Sequence, residues 1–323
     1  MWAAGFVLAV LAFLAVRLVA PEDELRDSAQ PASSPSHWKE MAPACGGPAQ
    51  SPINIDLRDP TLGPLIFQGY NSVPPGLWTL ESDGHTVLLH VNTGLQSRLE
   101  MHGAGVPPPA YCAVQLHFHW GAPARAGSQH SLDGQRRSVD LHMHVVHIST
   151  CYRSLQEALG HPARGVGRAV GSEEQDADNA NFLVLVSGLK NVSGRRLSAE
   201  LASTFPLASV LPDAAGLARY YRYPGSLTIH GCQPAALWTV FYMTGLCPAP
   251  QVAQFQTVLQ TWAPGLRPAP LTENFRLQQP LGDRWVTASP SASARAAARR
   301  PAGVRVLSAG LGPGAQPAAP AGP

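Results

Sequence analysis

Charge is scarce in this sequence, and neither sign dominates. Charged side chains make up 14% of the 323 residues, and 23 basic against 21 acidic groups leave a net charge of +2. Without a basic excess to neutralise phosphates, the chain is not a nucleic-acid binder driven by electrostatics. Nor is it a highly charged disordered chain. No Cys-x-x-Cys pair is present, which argues against a structural zinc knot. No segment recurs with a period of 20–50 residues, so a solenoid or propeller is excluded. Long apolar runs are missing as well. Residues 2–16 form one apolar stretch, shorter than the roughly 20 residues a membrane span needs. Followed by Arg17 and the small Ala20, it fits a secretory signal peptide over residues 1–20.

What is abundant is turn chemistry. There are 31 prolines and 30 glycines, while apolar residues still reach 45%, enough for a real core. From about Ala288 the chain becomes Ser/Ala/Arg and then Gly/Ala/Pro, so residues 288–323 read as a low-complexity, disordered tail. Ser289–Ala292 supply the small residues of a lipid-anchor signal. Val304–Leu307 are too few and too interrupted for its apolar end, so membrane association through such an anchor is only weakly supported. Cysteines stand at 45, 112, 151, 232 and 247, and an odd number leaves a thiol over if the chain is secreted and some of them pair. Asn191-Val192-Ser193 is a glycosylation sequon on the same reading.

Between Ser36 and Thr287 the pattern is one of strands. His85–Val91, Val114–Trp120, Leu141–Ile148, Phe182–Val186 and Leu237–Tyr242 are short alternating or apolar runs rich in β-branched and aromatic residues. Helical spacing is confined to Ser154–Leu159 and Ala253–Gln260. The fold class is therefore mainly β with minor α: a single domain over 36–287 around one large sheet.

The chemistry lies in the histidines. His117 and His119 alternate with Leu116, Phe118 and Trp120, so in a strand both imidazoles share a face and the apolar residues take the other. Leu141-His142-Met143-His144 repeats the pattern after the turn-rich Gly134–Arg137. Paired as neighbours, the two strands bring three or four imidazoles together. Three neutral histidine nitrogens with one open position are the catalytic rather than the structural pattern for zinc, and they point to a hydrolase or hydratase.

Gln50–Ile55, Gln115–Gly121 and Tyr223–Thr228 resemble the α-class carbonic anhydrases, and the likeness runs from His37-Trp38 to Asn274–Arg276. It is closest to the extracellular or membrane-anchored branch, through His37–Glu40, Ala44–Gly47, Tyr220–Tyr223 and Leu237–Phe241. The resemblance implies a mostly antiparallel, twisted sheet of about ten strands. It also implies a zinc enzyme that converts carbon dioxide to bicarbonate and a proton, secreted or held at the cell surface. By the same resemblance His117 and His119 are ligands, His85 in Asp83–Thr86 is the proton shuttle, and Thr228 orients the attacking hydroxide. Leu227, Trp238 and Val145 form the wall that receives carbon dioxide, Gln115 supports a ligand, and Cys45 and Cys232 pair.

Three departures from the family fall on the chemistry. Gln129 stands where the family has a glutamate that accepts from the Thr228 hydroxyl. The third ligand is His144 counted back from Val146-His147, with His142 in the place of its acidic partner. Counted forward from Gln129 it is His142, with Asp140 as the partner. An insertion of two residues in the hairpin preserves every side-chain direction and favours His144; the usual oxygen partner of a bound imidazole favours His142. Finally, the resemblance places a core strand at Ala163–Ser172, where Gly and Arg are poor strand residues. A weakened zinc enzyme is the first reading, and a catalytically silent relative or decaying gene product is the alternative.

Overall fold

The structure is a computed structural model. It describes residues 38–293 except 57–58, 61, 92–98, 104, 123–126, 128, 136–140, 162–165, 172–178, 195–196, 230, 242–248 and 260–268. Residues 1–20, where a leader is expected, Asp140 and Cys247 lie outside the described residues. Seven strands position the site: β1 (Thr79–Ser82), β2 (Val87–His90), β3 (Tyr111–Trp120), β4 (Leu141–Ser149), β5 (Val166–Gly171), β6 (Tyr220–Gly225) and β7 (Ala236–Phe241).

They belong to one 12-stranded sheet. Its path runs Leu197–Glu200, β1, β2, β3, β4, β5, β7, β6, Thr287–Ala288, Asp59–Pro60. Pairing is antiparallel from Leu197–Glu200 through β5 and parallel between β5 and β7. The turn between β1 and β2 is built on Asp83-Gly84. Gly84 takes φ +84°, and the Asp83 carboxylate accepts from the amides of His85 and Thr86, both at 2.7 Å.

Alternation in β3 and β4 separates two worlds. Leu116, Phe118, Trp120, Leu141, Met143 and Val145 enter the main apolar core, where Phe182, Leu185, Leu189 and Phe255 pack. The histidines take the other face. β4 stays in register with β3 from Leu141 opposite Trp120 to Val146 opposite Gln115; the irregularity falls between Ala113 and Gln115. β4 itself runs without irregularity from Leu141 to Val146.

Three expectations are corrected. Phe182–Val186 is not a strand but part of a helix, Ala180–Leu189, capped by the Asn179 side chain, which accepts from the amides of Asn181 and Phe182. A short apolar run looks alike in both states. Here the cap and the burial of Phe182, Leu185 and Leu189 at helical spacing decide for the helix. The helix expected over Ala253–Gln260 occupies Ala249–Phe255 instead. The tail does not leave the fold at 288: Ala288 pairs with Tyr221, and the Ser289 hydroxyl donates to the Ala218 carbonyl at 2.7 Å. Ser289 and Ala292 are buried. The Ala163–Ser172 segment does supply a strand, β5, paired on both sides in the middle of the sheet.

Candidate metal centre

Cross-strand register puts His117 opposite His144 and His119 opposite His142. Residues opposite one another share a face, so all four imidazoles lie on one side of β3 and β4. Three of them converge. His117, His119 and His144 are buried, with a nitrogen from each lying within 4.8 Å of the others. His144 Nδ1 is 3.0 Å from His117 Nε2. Tetrahedral zinc with Zn–N of about 2.0–2.1 Å would hold two ligand nitrogens about 3.3 Å apart. His119 Nδ1 donates to the Asn274 carbonyl at 2.6 Å, which leaves Nε2 for a metal and fixes the ring. Imidazole nitrogens, buried and this close, fit zinc.

His142 stands outside the group. Its ring is 6.3 Å from that of His144, whereas His144 lies 4.8 Å from His117 and 4.6 Å from His119. Burial lowers its pKa to about 4, so the imidazole is neutral.

The surrounding wall is apolar on one side. Trp238 stacks edge-on against His144 at 5.2 Å, and its indole N–H donates to the Ser226 carbonyl at 2.9 Å. Leu227 packs in the same cluster as Trp238. Val145 does not line this wall. It faces the main core on the reverse of the sheet, because it alternates with His144 and Val146. Gln115, half-buried, is two residues before His117 on the same face.

Thr228 is buried beside Leu227 in a tightly constrained loop. Ser51 Oγ accepts from the Ser226 amide at 3.1 Å and from the Tyr223 hydroxyl at 3.0 Å. His130 Nε2 lies 2.7 Å from that hydroxyl. Gly225 is where the chain approaches most closely: a Cβ there would stand 2.2 Å from Ser51 Oγ and 2.9 Å from Trp238 Cδ1. Cys232, bonded to Cys45, closes the far end of the loop, and the Leu227 amide donates to the Gln233 carbonyl at 2.9 Å. Cys112 is half-buried, its thiol 3.9 Å from Glu100 Oε1, and Cys151 is exposed; neither is in a disulfide among the described residues.

Gln129 is the discordant residue. It is 1% exposed, and among the described residues neither its Oε1 nor its Nε2 has a hydrogen-bond partner. His85 is exposed on the Asp83–Thr86 turn. Asn191 is exposed in the turn that follows its helix.

Sequence reasoning missed three contributors. Asn274 holds the ring of His119. Gly225 permits the Ser51 contact. Arg276 is buried and donates to Gln50 Oε1 at 2.8 Å and to the Ser51 and Cys45 carbonyls at 3.0 Å each, with burial lowering its pKa to about 10. All three act across more than a hundred residues of chain, where periodicity carries no signal.

The comparisons agree with this geometry. The sequence profile of eukaryotic-type carbonic anhydrase matches residues 33–290. Carbonic anhydrase 15 of Mus musculus is 52% identical over 322 residues, covering 97% of this chain and 98% of that protein. Carbonic anhydrase 12 of Homo sapiens is 32% identical over 263 residues, 78% of this chain and 70% of that protein. Carbonic anhydrase 4 of Oryctolagus cuniculus is 32% identical over 295 residues, 88% and 91% of the two chains. With three buried imidazoles placed to hold zinc and a family match across most of its length, the chain belongs to the eukaryotic-type carbonic anhydrases.

Proposed function

We propose that this protein hydrates carbon dioxide reversibly to bicarbonate and a proton, with zinc held by His117, His119 and His144, and that Gln129 makes it slower than a relative carrying a carboxylate there. The observation that carries the reading is the convergence of the three buried imidazoles beside Trp238. When bound, zinc lowers the pKa of a coordinated water to about 7 and so makes hydroxide available at neutral pH.

The chain's own residues do the rest. The three imidazoles hold the ion, and the Asn274 carbonyl fixes the ring of His119. Gln115 supports His117 from the same face. Trp238 and Leu227 offer carbon dioxide a dry apolar surface, where a molecule without charge binds without losing hydration. Thr228 orients the attacking oxygen. His85 takes the proton onto its imidazole and delivers it to solvent, the general acid–base role that histidine most often fills. Asp140 lies outside the described residues and takes no part in this assignment.

The catalytic domain spans 36–287 in this reading, and Ala288–Ser293 complete its edge. The Cys45–Cys232 disulfide and the apolar stretch at 2–16 support a secreted or cell-surface protein with a cleaved leader at 1–20, because disulfides persist in oxidising compartments. Exposed Asn191 would then carry a glycan. Among the described residues no helix is long and apolar enough to cross a membrane.

The orphaned amide of Gln129 favours a second reading, a silent relative that binds zinc without turnover. Metal analysis of the purified protein followed by stopped-flow carbon dioxide hydration separates the two. One zinc per chain with zinc-dependent hydration supports the enzyme. Bound zinc without hydration supports the silent relative, and absence of zinc overturns both.

A further inference from the structure

We propose that the side chain of Asn274 is a positioning residue that sets the spacing between the proton-carrying turn and the metal-binding strand. The inference rests on the reading of His85 as the proton shuttle.

The ladder between β2 and β3 runs only as far as Leu88 opposite His117. Beyond that pair the Asp83–Thr86 turn diverges from the strand, and the β3 backbone needs other partners on that side. Asn274 supplies them with one carboxamide. Its Oδ1 accepts from the Trp120 amide at 2.7 Å, and its Nδ2 donates to the Phe118 carbonyl at 3.2 Å. The side chain thus replaces a peptide group of a missing strand. Its Nδ2 also donates to the His85 carbonyl at 3.0 Å. The backbone carbonyl of the same residue accepts from His119 Nδ1 at 2.6 Å. One residue therefore touches the turn bearing His85, the strand bearing both His117 and His119, and the ring of His119 itself. Thr86 ties the same turn to the Phe118 carbonyl through its hydroxyl, so the turn stays attached when Asn274 is altered and only its spacing is released.

Two substitutions dissect the role, since the backbone carbonyl survives both. Asn274→Asp keeps the acceptor for Trp120 and replaces the donor to His85 and Phe118 by an oxygen facing their carbonyls. Asn274→Ala removes both functions. In dilute buffer each lowers kcat for hydration on the order of 10-fold, part of the 10²–10⁴ that a positioned proton-transfer group contributes. The value of kcat/KM falls less, and added imidazole, which carries protons itself, restores kcat. His85→Ala behaves alike, and the double variant with Asn274→Ala is no worse than His85→Ala alone.

A readout independent of turnover is amide hydrogen exchange. Zinc loading slows exchange at both Phe118–Trp120 and Asp83–Thr86 in the parent protein, but only at Phe118–Trp120 in Asn274→Asp. If His85→Ala shows the imidazole-rescued loss and the Asn274 variants do not, the proposal is overturned while the shuttle reading stands. It is also overturned if zinc protects the turn equally in Asn274→Asp. If His85→Ala loses no kcat, the shuttle reading falls and the proposal with it.

Discussion

Gln129 places a carboxamide with a donor and an acceptor in a site where, among the described residues, neither finds a partner. A buried polar atom left without a partner costs about 1–3 kcal/mol, and the loss of a charged acceptor weakens any bond it makes to a hydroxyl. Gln129→Glu is expected to raise the hydration rate on the order of 10²–10³-fold, the size of one orienting interaction in a preorganised site, with little change in zinc content. Stopped-flow rates at fixed zinc occupancy check this, and an unchanged rate would show that orientation is not the defect. His144→Ala is expected to lose zinc on dialysis, whereas His142→Ala retains it, because only His144 converges with His117 and His119. Elemental analysis of the two variants decides, and the reverse outcome would reassign the third ligand. At this scale the sequence was informative where chemistry follows period 2. His117 and His119 were readable from alternation alone. His142 and His144 alternate in the same way, so only the fold could separate them.

Among elements, the end of β6 and the residues after it, Gly225–Thr228, are closely packed. Gly225 tolerates no Cβ, since Ser51 and Trp238 both stand within 3 Å of where it would be. Gly225→Ala is expected to destabilise the protein by about 1–3 kcal/mol through overpacking and to displace Thr228. Urea unfolding together with the hydration rate measures both effects, and an unchanged midpoint would rule the contact out as a constraint. The elements also show what a linear pattern hides. The strand expected over Val114–Trp120 was legible because the alternation of its own residues carries it. The Ala180–Leu189 helix was not, because its apolar run suits either state and tertiary packing made the choice. β5 shows the converse: a segment with Gly167, Arg168 and Gly171 is held as a strand by β4 and β7 on either side.

At the scale of the whole molecule, the Cys45–Cys232 disulfide joins residues 187 apart in sequence. In the chain-entropy account a loop of that size restrains the unfolded chain by about 5 kcal/mol, an upper value for a single bridge. Arg276 adds a second clasp at the same place by donating to Cys45, Gln50 and Ser51. Removing the bridge with the paired Cys45→Ser and Cys232→Ser substitutions is expected to lower the unfolding free energy by several kcal/mol. Denaturant titration of parent and variant tests this, with an unchanged midpoint as the contrary result. The overall architecture was legible because a mainly β composition and a strong family likeness constrain it. The long-range clasps were not, since nothing local marks Arg276 or Asn274 as the partner of a segment so far away.

The register of β3 and β4 has a kinetic consequence. His117 and His144 are 27 residues apart and meet in the pairing of two neighbouring strands, whereas the parallel pairing of β5 with β7 and the contact of Asn274 with β3 require closure over much longer stretches. Pairings of high sequence separation are slow to form. The imidazoles can therefore gather before the sheet is complete, and a divalent ion captured at that stage would nucleate the rest. Refolding is expected to be faster when zinc is present from the start than when it is added after the chain has folded. Single-mixing refolding followed by tryptophan fluorescence, with and without the metal, measures the difference. Equal rates would place metal capture after the rate-limiting step.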